Sequence, residues 1–108
     1  MTDKIVAFTT CETQEEAARV ARMLIEKKLA ACVNVVSSVR SVYRWKENIE
    51  DSPELLLIIK SRRDLFDTLK AEIAKIHSYE IPELVALPIL DGSTEYLAWL
   101  DRELPRAE

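Results

Sequence analysis

Five consecutive aliphatic residues, Leu55-Leu56-Leu57-Ile58-Ile59, stand between Glu54 and Lys60. Side chains along a strand point alternately to opposite faces, so this run is apolar on both sides. A chain that carries it must find cover for two faces of a sheet. Upstream lies a second β-rich stretch, Ala31-Cys32-Val33-Asn34-Val35-Val36, continued by Val39-Arg40-Ser41-Val42-Tyr43-Arg44-Trp45. Polar Lys46-Glu47-Asn48 separates the two stretches. Together they predict a long β-hairpin with arms from about Ala31 to Trp45 and from about Pro53 to Lys60. At ~3.3 Å per residue the first arm outruns the usual strand of ~5–6 residues. The excess carries Val42, Tyr43 and Trp45. Helices of one subunit cover one face of a sheet, so the second face and the arm predict that copies of the chain wrap one another.

The rest of the chain alternates in type. Ile5 to Phe8 is a compact apolar run and predicts a buried strand. Thr13-Gln14-Glu15-Glu16 matches a capping box, and Ala17, Val20, Ala21, Leu24, Ile25 and Leu29 follow at helical spacing. A helix over about residues 14–28 results, with Lys27 and Lys28 in its last turn. Ser61 is the expected cap of a second helix whose stripe is Leu65, Phe66, Leu69, Ile73 and Ile76. That helix should stop before Pro82. Leu84 to Ile89 predicts an edge strand bracketed by Pro82 and Pro88. Asp91-Gly92-Ser93 is a turn, and Ser93 caps a last helix carrying Tyr96, Leu97, Trp99 and Leu100. The order is β-α-β-β-α-β plus a C-terminal helix. This is an α+β chain with the split βαβ arrangement of the ferredoxin-like fold, both crossover helices on one face. Residues 1–108 read as one domain, without linker or tandem repeat.

Composition removes several functions. Glycine occurs once, as Gly92, which excludes the glycine-rich phosphate loops of nucleotide-binding folds. Fifteen Lys and Arg stand against nineteen Asp and Glu, a net charge of -4, and Leu55–Ile59 carries no aromatic residue. A nucleic-acid platform needs a basic surface and an aromatic strand face, so no nucleic-acid partner is expected. No apolar stretch approaches the ~20 residues that span a bilayer, and no signal-peptide core follows the first residues. The expectation is a cytoplasmic protein with no membrane partner. Cys11 and Cys32 form no CxxC motif, and no disulfide between them is expected in a reducing compartment.

Four segments resemble the CutA family, the divalent-cation tolerance proteins. They are LAACVNVV (Leu29 to Val36), SVYRWKENIEDSPE (Ser41 to Glu54), HSYEIPELVALPI (His77 to Ile89) and EYLAWL (Glu95 to Leu100). They come in order at family spacing, and the resemblance runs from about Ile5 to Leu104. It implies a ferredoxin-like protomer in a tight homotrimer similar to the PII signalling proteins, with hairpin contacts between subunits. It also implies a link to metal tolerance, copper binding in some members, and no enzymatic activity. Asn48 stands about where the family has a hairpin glycine, and the family's HPYE reads His77-Ser78-Tyr79-Glu80. A Cys and a second His of some bacterial relatives match Thr9 and Ile76 here.

Within that frame the candidate site residues are few. His77, the single histidine, sits among Tyr79, Glu80 and Glu83. It reads as a ligand for copper or another divalent cation, or as a proton carrier, in an intersubunit cleft; the plainer reading is a helix-end histidine. Cys11, between a strand and a helix, is a candidate soft ligand for Cu(I) or an ordinary surface thiol. Cys32 reads as a small buried hydrophobe. Tyr43 and Trp45 near the hairpin tip suit ligand stacking or an interface. With Lys60, His77, Tyr79 and Glu83 they make up the expected cleft. Arg40, Arg44, Lys60, Arg62 and Arg63 form an anion site only if folding gathers them. Glu47, Glu50, Asp51 and Glu54 offer weak sites for hard cations or a solvated loop. The alternative function is an enzyme using His77 with Tyr79 or Glu83 as acid–base partners.

Overall fold

A computed structural model describes residues 2–106. Seven main elements follow in order: β1 (Lys4–Cys11), α1 (Gln14–Glu26), β2 (Cys32–Trp45), β3 (Asn48–Arg62), α2 (Phe66–Ile76), β4 (Val85–Pro88) and α3 (Thr94–Arg102). The strands form one sheet in the order β2-β3-β1-β4, each neighbour antiparallel. This is the split βαβ topology that the alternation of patterns predicts.

Alternation along β1 and β3 divides the sheet into two faces. Ala7, Cys11, Leu55, Leu57 and Ile59 point to one and pack against Ala17, Val20 and Leu24 of α1 and Leu69 and Ile73 of α2. Full burial of the leucine, isoleucine and valine side chains contributes about 1.5–3 kcal/mol each, so this layer is the core. Val6, Phe8, Leu56 and Ile58 lie on the other face and are half-buried. Helix α3 covers one end of that face. Its Asp101 reaches Lys4 at 3.2 Å and Arg62 at 3.3 Å, and its Leu100 is buried.

Local chemistry sets the ends of the elements. The Thr13 hydroxyl accepts the Glu16 N–H at 3.1 Å, and the Glu16 carboxylate accepts the Glu12 N–H at 3.3 Å. The capping box is therefore present, reaching back one residue further than the motif requires. Ser61 is a correction. It is buried in β3 opposite Ile5, and its hydroxyl donates to the Leu29 carbonyl at 2.6 Å. That bond holds it in the sheet, and α2 begins at Phe66 after a single 3₁₀ turn, Arg63–Leu65.

Two irregularities shape the hairpin. Between Val36 and Val39 the register shifts, and Ser38 adopts φ 65°. One extra residue in β2 makes a bulge, which exchanges the faces of everything beyond it. Tyr43 and Trp45, opposite Glu50 and Asn48, thereby share a face with Glu54. At the tip, Lys46 and Glu47 take φ 49° and 70° while Asn48 pairs with Trp45. The left-handed positions thus lie one and two residues before Asn48, as a two-residue turn that matches the twist of the arms demands.

Candidate functional site

A cleft of about 580 Å³ opens between the hairpin arm and the segment that follows α2. Tyr43, Trp45, Glu54, Tyr79, Glu80 and Glu83 line it, as does Thr10. The bulge brings the arm's residues there. The segment after α2 is fixed by three hydrogen bonds. The Thr9 hydroxyl donates to the Glu83 carbonyl at 2.6 Å, the Ser78 N–H donates to Glu16 at 2.6 Å, and His77 Nε2 meets the Thr10 carbonyl at 2.7 Å. Inside the cleft the Tyr79 hydroxyl donates to Glu54 Oε2. Glu54 is only 5% exposed. Burial, and then the Glu54 carboxylate, push the Tyr79 hydroxyl well above the ordinary tyrosine range, so it remains a proton donor.

The expected cleft residues divide. Tyr43, Trp45, Tyr79 and Glu83 are together, and Glu54 and Glu80 join them. His77 stands behind the wall, its ring 4.9 Å from that of Tyr79. Lys60 stands apart from this cleft within the single chain. It lies six residues along β3 from Glu54, roughly 20 Å at ~3.3 Å per residue, and its amine donates to Asn34. The basic residues are not gathered into an anion site: Arg40 makes a two-pronged contact with Asp51 at 2.7 Å, and Arg62 bonds Asp64 and Asp101. The acidic run is equally divided, with Asp51 turned to Arg40 and Glu54 to Tyr79.

A second cluster was hidden in the sequence. Cys11, Glu16 and His77 place one ligand atom each within 4.8 Å of one another. Sulfur, oxygen and nitrogen donors suit copper or zinc by type. Their present state does not fit a resident ion. His77 Nε2–H donates to Thr10, while Nδ1 accepts the Tyr79 N–H at 3.1 Å, so both ring nitrogens are engaged. The two Glu16 oxygens accept from Glu12 and Ser78. Burial of Glu16 opposes its charge, but the Ser78 and Glu12 bonds hold its carboxyl below the usual range. Cys11 is fully buried, not the surface thiol expected, and burial with the charges of Glu16 and Glu54 pushes its thiol up to about 12. A protonated thiol is a poor ligand. Glu16 carried a sequence signal only as the acid of the capping box; its contact with Ser78 spans 62 residues.

Over residues 5–103 the chain matches the family described as CutA1 divalent ion tolerance protein. The divalent-cation tolerance protein CutA of Thermus thermophilus is 43% identical over 95 residues, 88% of this chain and 92% of that one. The chloroplastic protein CutA of Arabidopsis thaliana is 42% identical over 96 residues, 89% of this chain and 53% of that one, so this chain spans about half its length. The solved divalent cation tolerance protein of Thermus thermophilus superposes with a TM-score of 0.92 at 40% identity, covering 94% of this chain and 99% of that one. The crystal structure of CutA from Xylella fastidiosa gives 0.93 at 32% identity, with coverage of 96% and 100%. Sequence and backbone agree over nearly the whole chain, and it belongs to the CutA1 divalent ion tolerance family.

Proposed function

We propose that this chain acts in divalent-metal tolerance as a non-enzymatic homotrimer, PII-like in assembly, that holds a small ligand in the cleft between its hairpin arm and the segment after α2. The cleft carries this reading. It is walled by an overlong arm whose apolar residues are open to solvent: Val42 and Ile49 are 64% and 70% exposed. Both sheet edges, β2 with Val35 and β4 with Val85 and Leu87, are likewise exposed and apolar. Unlike edges pairing head to tail close a ring of copies. The enzyme alternative has less support. Both nitrogens of His77 are engaged by backbone partners and Tyr79 donates to Glu54, so His77 has no free nitrogen to pair with Tyr79 or Glu83 as acid or base. Light scattering at micromolar concentration is expected to give the trimer mass. A stable monomer overturns the assembly and the shared cleft with it.

Direct metal binding at His77 and Cys11 is the second reading, favoured by their convergence with Glu16. It requires Tyr79 to release Nδ1 and Cys11 to lose its proton. Copper titration of the wild type and of His77→Ala separates the two readings. Equal affinity removes His77 from the metal site; a tenfold or greater loss places it there.

A further inference from the structure

We infer that the cleft is a receptor for linear alkyl di- or polyammonium ions, which lie along Trp45, Tyr43 and Tyr79 with their ammonium groups on Glu54 within and on Glu80 and Glu83 at the mouth. This inference rests on the reading of the cleft as a ligand site and names the ligand's chemistry.

Three independent observations carry it. The lining holds three carboxylates and no lysine, arginine or histidine side chain. An anion is repelled there and a cation is drawn in. The same walls present aromatic faces, which attract ammonium groups through the ring quadrupole. Finally, the chain shows the recognition in its own side chain. The Lys46 ammonium stands 5.5 Å from the centre of the Trp45 ring and 3.8 Å from Glu80 Oε1. An alkylammonium group therefore already rests on the aromatic ring and carboxylate at the mouth.

The spacing of the carboxylates selects the ligand. Among the described residues the only metal-type cluster is Cys11, Glu16 and His77. Glu54, Glu80 and Glu83 do not converge on one point, so a bare divalent ion finds no set of three ligands among them. A ligand bearing separated charges can engage them one at a time. Tyr79 holds Glu54 by Oε2, which leaves Oε1 as its second acceptor. Carboxylate acceptors favour ammonium groups with N–H donors over quaternary ones. A volume of about 580 Å³ accommodates an extended aliphatic chain.

Isothermal titration of the assembled protein with spermidine, putrescine, tetramethylammonium and zinc tests this. Spermidine is expected to bind saturably below millimolar concentration, more tightly than putrescine, with tetramethylammonium at least tenfold weaker. Glu54→Gln and Trp45→Ala should each weaken spermidine tenfold or more. Glu83→Gln, at an exposed position, serves where Glu54→Gln fails to fold by circular dichroism. Lys46→Ala should tighten binding threefold or more, because it frees Trp45 and Glu80. Lys70→Ala, the same charge change on α2, should leave affinity unchanged. Absence of saturable spermidine binding, or binding indifferent to all three cleft variants, overturns the inference. Zinc binding that Glu83→Gln and Trp45→Ala weaken, with no spermidine binding, overturns the ammonium class but keeps the cleft as a site. Failure of every probe to bind overturns both.

Discussion

Arg62 is 1% exposed, yet each nitrogen of its guanidinium has a partner: Nε meets Asp64 at 2.8 Å, Nη1 meets Asp101 at 3.3 Å, and Nη2 donates to the Pro105 carbonyl. Burial opposes its charge, and the two aspartates more than offset that, raising its pKa. The residue ties the end of β3 to α3 and the chain beyond it. Arg62→Met is expected to destabilise the protein by about 3 kcal/mol, at the low end for a broken buried ion pair because Asp64 and Asp101 are partly solvated. Chemical denaturation of both proteins checks this, and an unchanged midpoint refutes it. At the same scale, Glu16 shows why a site residue escapes a sequence reading. Its capping role is local and visible in the Thr13–Glu16 spacing. Its bond to Ser78 depends on α2 delivering its C-terminal end beside the start of α1.

One of the polar contacts that join elements titrates in the acid range. Glu72 on α2 lies between Lys27, which follows α1, and Lys75 on α2, and their hydrogen bonds and charges lower its carboxyl from about 4.5 to about 2. A depressed acid stabilises the fold above its unfolded value, and that stability disappears as pH falls through the folded one. Glu72→Gln should therefore lower the thermal midpoint at pH 7, with the difference from wild type shrinking below pH 4.5 and vanishing near pH 2. A difference independent of pH refutes the assignment. The hairpin offers a second case. Glu47 holds φ 70° without the freedom of glycine, a conformation that costs roughly 1–2 kcal/mol in an L-residue. Glu47→Gly should stabilise the fold by about 1 kcal/mol, read as a higher denaturation midpoint. No gain means that the turn is relaxed as it stands. The hairpin itself was legible in two β-rich runs around a polar break. The bulge at Ser38 was not, because two serines in a strand carry no mark of a positive φ.

At the scale of the whole molecule, the chain measures 44 × 25 × 22 Å, its long axis a consequence of the hairpin. Leu56 and Ile58 stay half-buried, and the apolar edges of β2 and β4 face solvent. If those edges pair between copies, a charge in either one dissolves the assembly without unfolding the sheet. Val35→Asp and Leu87→Asp are each expected to give monomers in light scattering with native circular dichroism; trimers in both variants refute edge pairing. The order of elements, the helix face of the sheet and the apolar run of β3 were determined by the sequence, since periods of two and of 3.6 are local properties of backbone geometry. The meeting of Cys11, Glu16 and His77 and the turning of Tyr43 and Trp45 toward Glu54 were decided by the tertiary structure alone. The first depends on α2 ending beside the start of α1; the second depends on strand register, where a shift of one residue reverses which face every following side chain occupies.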